Sequence, residues 1–335
     1  MTVRIAVIGA GLMGADHARI LTADVPGAEL RVVCDASPER ARAVAQACGV
    51  RDVATDPEAV IARGDIDAVV IASPDETHAP LSIAAVQHGK PVLCEKPLSQ
   101  SSDECLQVIA EEARRGRRLV QLGFMRRFDP AYAEMKALLG AHEIGRALMF
   151  HCQHRNVSAP ANFSGQMAIS NSAPHEFDIA RHVLDDEITA ISVFQPRAVD
   201  ARQVGAPVFM VLETQAGRLV NVEINNNAGY GYDVRGELVG EQGSVFLQRP
   251  VHSQVARAGR ASESFPGDWR PRFAEAYRLQ DQAWVRAIDS GLPSAVAAHA
   301  WDGYCATQIA ACGVQALASG TRVRVTLGDK PALYA

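Results

Sequence analysis

The chain has 335 residues, 48% of them hydrophobic and 21% charged, with a net charge of −5. Its length exceeds one ordinary core and predicts two domains, and its composition is that of a globular rather than a disordered protein. The mild acidity and the absence of a basic stripe exclude nucleic acid as the main partner.

In chain order, the first predicted element is a strand, Val3 to Ile8. Gly9, Gly11 and Gly14 follow in G-x-G-x-x-G spacing, and a helix begins through Leu12 and Met13 and continues past Ala18 and Leu21. Gly9 permits a tight turn, Gly11 lets a pyrophosphate approach the backbone, and Gly14 lets the helix pack closely. The helix N-terminus then offers N–H groups to the phosphates. A second strand, "LRVVCD", ends at Asp35 about twenty residues on, where the dinucleotide fingerprint has its ribose-binding acid. That carboxylate would repel a 2′-phosphate, and Arg40 lies a helical turn beyond it, so NAD is expected rather than NADP.

The alternation continues with a helix "PERARAVAQACG", a strand "DAVVIAS", a helix "THAPLSIAAVQHG" and a strand "PVLCE". A serine-capped helix "SSDECLQVIAEEARRG" and a strand "RLVQLGF" complete it. This pattern predicts an N-terminal α/β domain over residues 1–124, a doubly wound, mainly parallel sheet of the Rossmann type. Ligands of such sheets gather at the carboxyl ends of the strands. Ser73, Pro74 and His78 follow one such end, and Glu95, Lys96 and Pro97 follow the next. Glu95 is read as an ion-pair partner of Lys96 or a helix-cap acid. The basic run "EEARRGRRLV" reads as a solvated helix end entering a strand.

Beyond "GFMRRFDPAY" the texture changes. A short helix, "AYAEMKALLG", precedes the strand-like runs "IGRALMFHCQHRN", "EITAISVFQPRAV", "APVFMVLET", "GRLVNVEINNN", "YDVRGELVG" and "GSVFLQR". Two long helices, "RFAEAYRLQDQAWVRAIDSG" and "AAHAWDGYCATQIAACGVQALASG", close the chain. Residues 125–335 are thus expected to form an α+β domain around one large, mainly antiparallel open sheet. Val220, Val222 and Ile224 alternate along one strand and are expected on its uncovered face. Such a face favours a homodimer or homotetramer packed sheet to sheet.

Polar chemistry concentrates in "AISNSAPHEFDIARHVLDD", where Asn171, Ser172 and His175 lie at the start of a helix. His175, Asp178 and His182 share a helical face, but no fourth ligand accompanies them and no metal is expected. His151 and His154 fall on opposite faces of a strand. Arg126 and Arg127 read equally well as surface charges.

Taken together, "CEKP", "GFMRRFDP", "NSAPHEFDIARHV" and "YGYDVRGELVGEQG" resemble the Gfo/Idh/MocA oxidoreductases, and in particular their myo-inositol dehydrogenase members. The resemblance spans nearly the whole chain. It implies that Lys96 and His175 are catalytic, and that Met125, Arg126, Asn156 and Tyr232 line a polyol pocket with them. Where the family carries an aspartate four residues before the histidine, this chain has Asn171, so no His–Asp dyad is assigned.

The implied activity is oxidation of a secondary hydroxyl of a cyclic polyol or sugar, bound between Lys96 and His175, with hydride passing to NAD. A redox-cycling glycosidase and a non-catalytic NAD-binding regulator are the alternatives on the same fold. No apolar run approaches the ~20 residues of a membrane helix, and the N-terminus lacks a signal peptide's layout. Seven cysteines without a C-x-x-C pair fit free thiols and a cytoplasmic location.

Overall fold

A computed structural model describes residues 2–196, 207–248 and 254–335. Alpha-carbon packing divides the chain into two units. The first comprises residues 1–128, 275–307 and 328–335, and the second 129–274 and 308–327.

The first unit opens with β1 (Val3–Ile8), α1 (Leu12–Ala23), β2 (Ala28–Cys34) and α2 (Pro38–Ala47). Next come β3 (Asp52–Ala54), α3 (Pro57–Ala62), β4 (Ala68–Ile71) and α4 (His78–Gln87), then β5 (Val92–Cys94), α5 (Ser102–Arg115) and β6 (Val120–Leu122). The six strands are parallel, in the order β6-β5-β4-β1-β2-β3. Strands β1 and β4 are almost wholly buried, as strands covered on both faces must be. Local chemistry sets the helix starts: Ser37, Asp56 and Ser101 each accept a backbone N–H at an N-cap. The short β3 and α3 have no counterpart among the expected elements.

In the second unit, α6 (Pro130–Gly140) and β7 (Ala147–Arg155) precede a one-turn helix α7 (Gly165–Met167) and α8 (Pro174–Leu184). The strands β8 (Ile188–Phe194), β9 (Val208–Thr214), β10 (Leu219–Asn225), β11 (Asp233–Gly240) and β12 (Ser244–Phe246) follow, then an exposed hairpin of β13 (Gln254–Arg257) and β14 (Arg260–Glu263). The chain ends with α9 (Arg270–Ser290), β15 (Ala298–His299), α10 (Ala300–Ser319) and β16 (Val323–Arg324). The large sheet runs β12-β11-β7-β10-β9-β8-β16 and is antiparallel except for β7 beside β10. The expected strand ends at 197–199 and at 249 lie outside the described residues.

Two expectations are corrected. Val220, Val222 and Ile224 are fully buried, so they face the covered side of the sheet. Alternation along β10 instead sends Leu219, Asn221, Glu223 and Asn225 to the open side. Second, the helix expected from Ala297 begins only at Ala300, because Ala298 and His299 pair antiparallel with β6 and extend the nucleotide-type sheet to seven strands. By alpha-carbon packing, residues 275–307 and 328–335 group with the first unit. The anchors are specific: His17 contacts Asp281 (2.9 Å), Arg127 pairs with Asp302 (3.1 Å), Thr307 donates to the Ser99 carbonyl (2.8 Å), and the Tyr334 hydroxyl donates to Glu112 (2.5 Å).

Candidate active site

In the first unit every expected cofactor residue lies at the carboxyl ends of the parallel strands. Gly9 has φ +97°, and a Cβ there would sit 2.4 Å from the Ala72 carbonyl oxygen. A Cβ on Gly14 would lie 1.8 Å from the Gly9 oxygen, whereas one on Gly11 meets nothing within 4 Å. The loop is therefore closed on its protein side and open at Gly11, the N-cap of α1. Leu12 is exposed and Met13 partly so. This is the shape a pyrophosphate needs.

Asp35 is buried at the end of β2 and accepts the Ala10 N–H (2.7 Å), the Ser37 N–H (2.8 Å) and Arg40 (2.8 Å). Burial works to raise its pKa, but these hydrogen bonds and the Arg40 charge outweigh it and hold the carboxyl below its ordinary range. Arg40 is thus engaged by Asp35 in the arrangement seen here. After β4, Ser73 and Thr77 share a hydrogen bond, and Pro74 caps the turn that leads into α4. His78 is 1% exposed and places its ring nitrogens against the Pro97 carbonyl (2.6 Å) and the Ser73 carbonyl (2.8 Å). Two facing carbonyls require two N–H donors, hence an imidazolium. Burial opposes that charge, but Cys94 and the two carbonyls push the pKa up to about 10. His78 ties the ends of two neighbouring strands together from below.

Lys96 follows β5 and is partly exposed, and its peptide bond to Pro97 is cis. The Glu95 carboxylate accepts the Lys96 backbone N–H (3.2 Å) with one oxygen and contacts His17 Nε2 (3.0 Å) with the other. A Cβ on Gly123 would come within 3.0 Å of that carboxylate, so β6 closes over it. His17 is completely buried in α1, with its Nδ1 on Asp281 of α9. Burial disfavours its charge, yet Asp281 and then Glu95 raise its pKa well above the ordinary value, and Glu95 is correspondingly held low. A buried imidazolium between two carboxylates therefore underlies the Lys96 peptide. Sequence reasoning missed His17 and Asp281. Met125 and Arg126 occupy a one-turn 3-10 helix after β6, where Arg126 is 1% and Arg127 7% exposed. The surface-charge reading of both arginines is overturned.

In the second unit Asn156, His175 and Tyr232 gather around His154, a residue that sequence reasoning places only on a strand. His154 is buried on β7, with its ring 6.4 Å from His175 and 5.8 Å from Tyr232. Its Nδ1 meets Glu176, which is fully buried (3.3 Å), and its Nε2 meets the Asn156 amide (3.4 Å). Asn156 immediately follows β7, and Tyr232 immediately precedes β11. The alternation of β7 was the available signal, since it sends Phe150, Cys152 and His154 to the covered face. Asn171 lies one turn before His175 and accepts the Ser170 hydroxyl (2.9 Å), while Ser172 accepts from Asn226 (2.9 Å). His151, on the opposite face, contacts Asn221. Among the described residues no group of three His, Cys, Asp or Glu side chains is arranged to hold a metal ion.

Residues 3–124 match the family described as "Oxidoreductase family, NAD-binding Rossmann fold", and residues 132–246 match the "GFO/IDH/MocA C-terminal domain". "Inositol 2-dehydrogenase 1" of Saccharopolyspora erythraea is 49% identical, the alignment covering 100% of this chain and 99% of that protein. "Inositol 2-dehydrogenase" of Streptomyces avermitilis is 44% identical over 98% of this chain and 96% of its own. A crystal structure of myo-inositol dehydrogenase from Lactobacillus casei in complex with NAD(H) and myo-inositol superposes with a TM-score of 0.94 at 29% identity, covering 100% of both chains. With both family domains matched and full-length relatives near half identical, this chain belongs to the Gfo/Idh/MocA oxidoreductases, whose N-terminal domain is an NAD-binding Rossmann fold.

Proposed function

We propose that the protein is an NAD-dependent inositol dehydrogenase that oxidises a secondary ring hydroxyl to a ketone. The observation that carries the reading is full-length identity of 49% to a protein named inositol 2-dehydrogenase, in a chain that also keeps Lys96 and His175. The Gly9–Gly14 loop and Asp35 hold the dinucleotide, favouring NAD because a carboxylate repels a 2′-phosphate. Bound NAD supplies the hydride acceptor. His175 takes the hydroxyl proton, since imidazole is a competent base near neutrality, and Lys96 donates a hydrogen bond to the same oxygen. Electrons and protons balance: the carbon loses a hydride, the oxygen loses a proton, and a C=O forms. Met125, Arg126, Asn156 and Tyr232 line the polyol pocket, where directed hydrogen bonds suit a substrate rich in hydroxyls. Asn171 takes the place of an acid beside His175 and supports it by hydrogen bonding alone.

The open sheet face exposes Phe209, Leu219 and Phe246 between polar groups such as the Arg155–Glu223 pair (2.7 Å). We assign this face to self-association into a homodimer or homotetramer. None of the described helices is long and apolar enough to cross a membrane, and seven free cysteines suit a cytoplasmic enzyme. The test is NADH formation by purified protein over myo-inositol, scyllo-inositol, aldoses and aryl glycosides. Net NADH formation greatest with an inositol is expected. Release of the aryl group from glycosides without net NADH would replace this reading with redox-cycling hydrolysis.

A further inference from the structure

The second unit holds a buried acid to which the reaction as described gives no part. Glu176 lies in the first turn of α8 and is fully buried. Its carboxylate faces Nδ1 of His154 (3.3 Å), a ring that is itself buried on β7. A carboxylate only accepts hydrogen bonds, so the ring nitrogen that meets it is the one that carries the proton. Turning the ring over would set Cδ2 against the carboxylate and Cε1 against the Asn156 amide, so both contacts agree on one ring orientation. Tyr232, edge-on at 5.8 Å, and His175 at 6.4 Å pack against the same ring.

A neutral imidazole has one donor and one acceptor nitrogen. With the proton held on Nδ1 by Glu176, Nε2 is left as a lone pair, and only an N–H can face it. The group that does so is Nδ2 of Asn156 (3.4 Å). The backbone of Asn156 is held on both sides, its N–H donating to the Asn225 carbonyl (2.9 Å) and its carbonyl accepting the Ala228 N–H (2.9 Å). The end-for-end sense of the amide is the choice that remains, and the ring makes it. Asn156 is only half-buried, and among the described residues no donor reaches its Oδ1.

We propose that Glu176 is a positioning residue for polyol binding, acting through His154 to present the Asn156 oxygen, rather than its nitrogen, to a substrate hydroxyl. The inference rests on the inositol-dehydrogenase reading above, in which Asn156 lines the pocket. The hydroxyl at that position then binds as a hydrogen-bond donor, a preference set by an acid that does not touch the substrate. Without the carboxylate the ring proton is free to move to Nε2, and the amide turns its oxygen inward to accept it.

Two measurements test it. The chain has ten histidines, so ¹⁵N NMR of histidine-labelled full-length protein, with the His154 signals assigned by His154→Gln, reads the tautomer directly. Wild type should carry the proton on Nδ1 with Nε2 bare. Glu176→Gln, whose amide can donate as well as accept, should show both tautomers. Kinetics with myo-inositol at saturating NAD⁺ read the use of the tautomer. Glu176→Gln should raise KM by ~5-fold, about the worth of one neutral hydrogen bond, with a much smaller fall in kcat. In an Asn156→Ala background the same change should raise KM no further, because its effect passes through that amide. The proposal is overturned by a wild-type His154 with its proton on Nε2 or on both nitrogens, by a Glu176→Gln change that lowers kcat and leaves KM alone, or by KM effects that simply add. The wild-type spectrum decides even if the variant does not fold. The expected tautomer in a protein that oxidises no inositol would instead overturn the proposed function, and the substrate role of Asn156 with it.

Discussion

His17→Gln tests the buried ion cluster beneath the Lys96 peptide. His17 is wholly buried and meets Asp281 at 2.9 Å and Glu95 at 3.0 Å, so the change removes a cation from between two carboxylates. Breaking a buried pair by removing one partner costs about 3–5 kcal/mol. Glu95 keeps the Lys96 N–H and Asp281 keeps a contact with Gln280, which places the expected loss toward the lower end, at about 3 kcal/mol. The pH dependence has a definite sign. The folded-state pKa of His17 is raised, so its contribution is complete below the unfolded value of about 6.5 and is lost as pH rises through the folded value. Glu95 is lowered, so its contribution is present above an unfolded value of about 4.3 and is lost as pH falls through the folded one. Asp281, raised chiefly by burial, opposes Glu95 on the acid side, which makes the alkaline side diagnostic. Urea unfolding of the apo protein from about pH 6 to about pH 9 should show wild type and variant furthest apart at the lower pH and converging at the higher. A variant within about 0.5 kcal/mol of wild type throughout, the range of an ordinary surface change, would refute the buried imidazolium.

Lys96→Met should lower turnover of the inositol substrate by ~10²–10⁴-fold, while the NAD⁺ dissociation constant changes little; near-normal turnover would remove Lys96 from the chemistry. Asp35→Ser releases Arg40 from its 2.8 Å ion pair and should raise kcat/KM with NADP⁺ by ~10-fold. Adding Arg40→Gln should cancel that gain, and a double variant that keeps it would show that Arg40 is not the new phosphate partner. Asn171→Asp places a carboxylate one turn before His175 and should move the acid limb of the kcat/KM profile to higher pH; a superimposable profile would end that reading. Light scattering of Phe209→Glu/Phe246→Glu should report monomers where wild type reports an oligomer, and a monomeric wild type would contradict sheet-to-sheet assembly.

What could be read in advance follows the range of the interactions. The glycine loop, Asp35 and the serine caps act over a few residues, so spacing alone exposes them. Strand β3 has three half-buried residues and β15 only two, too few to show a period. Alternation along β10 separates two faces but cannot say which one helices will cover, and Val220, Val222 and Ile224 were assigned to the wrong one. His17 was invisible because its partners lie 78 and 264 residues away. His154 shares this difficulty, since its meaning depends on Glu176 and Tyr232 arriving from other elements.

The return of the chain to its first unit bears on how the protein is made. Residues 1–128 leave the ribosome with β6 as an open edge, because the strand that covers it, β15, is not yet synthesised. Exposed edges of this kind invite pairing with other chains. Asp281, the buried counter-charge for His17, also arrives only with α9, and the bond from Tyr334 to Glu112 forms later still. The nucleotide-binding unit is thus closed by segments synthesised after most of the second unit.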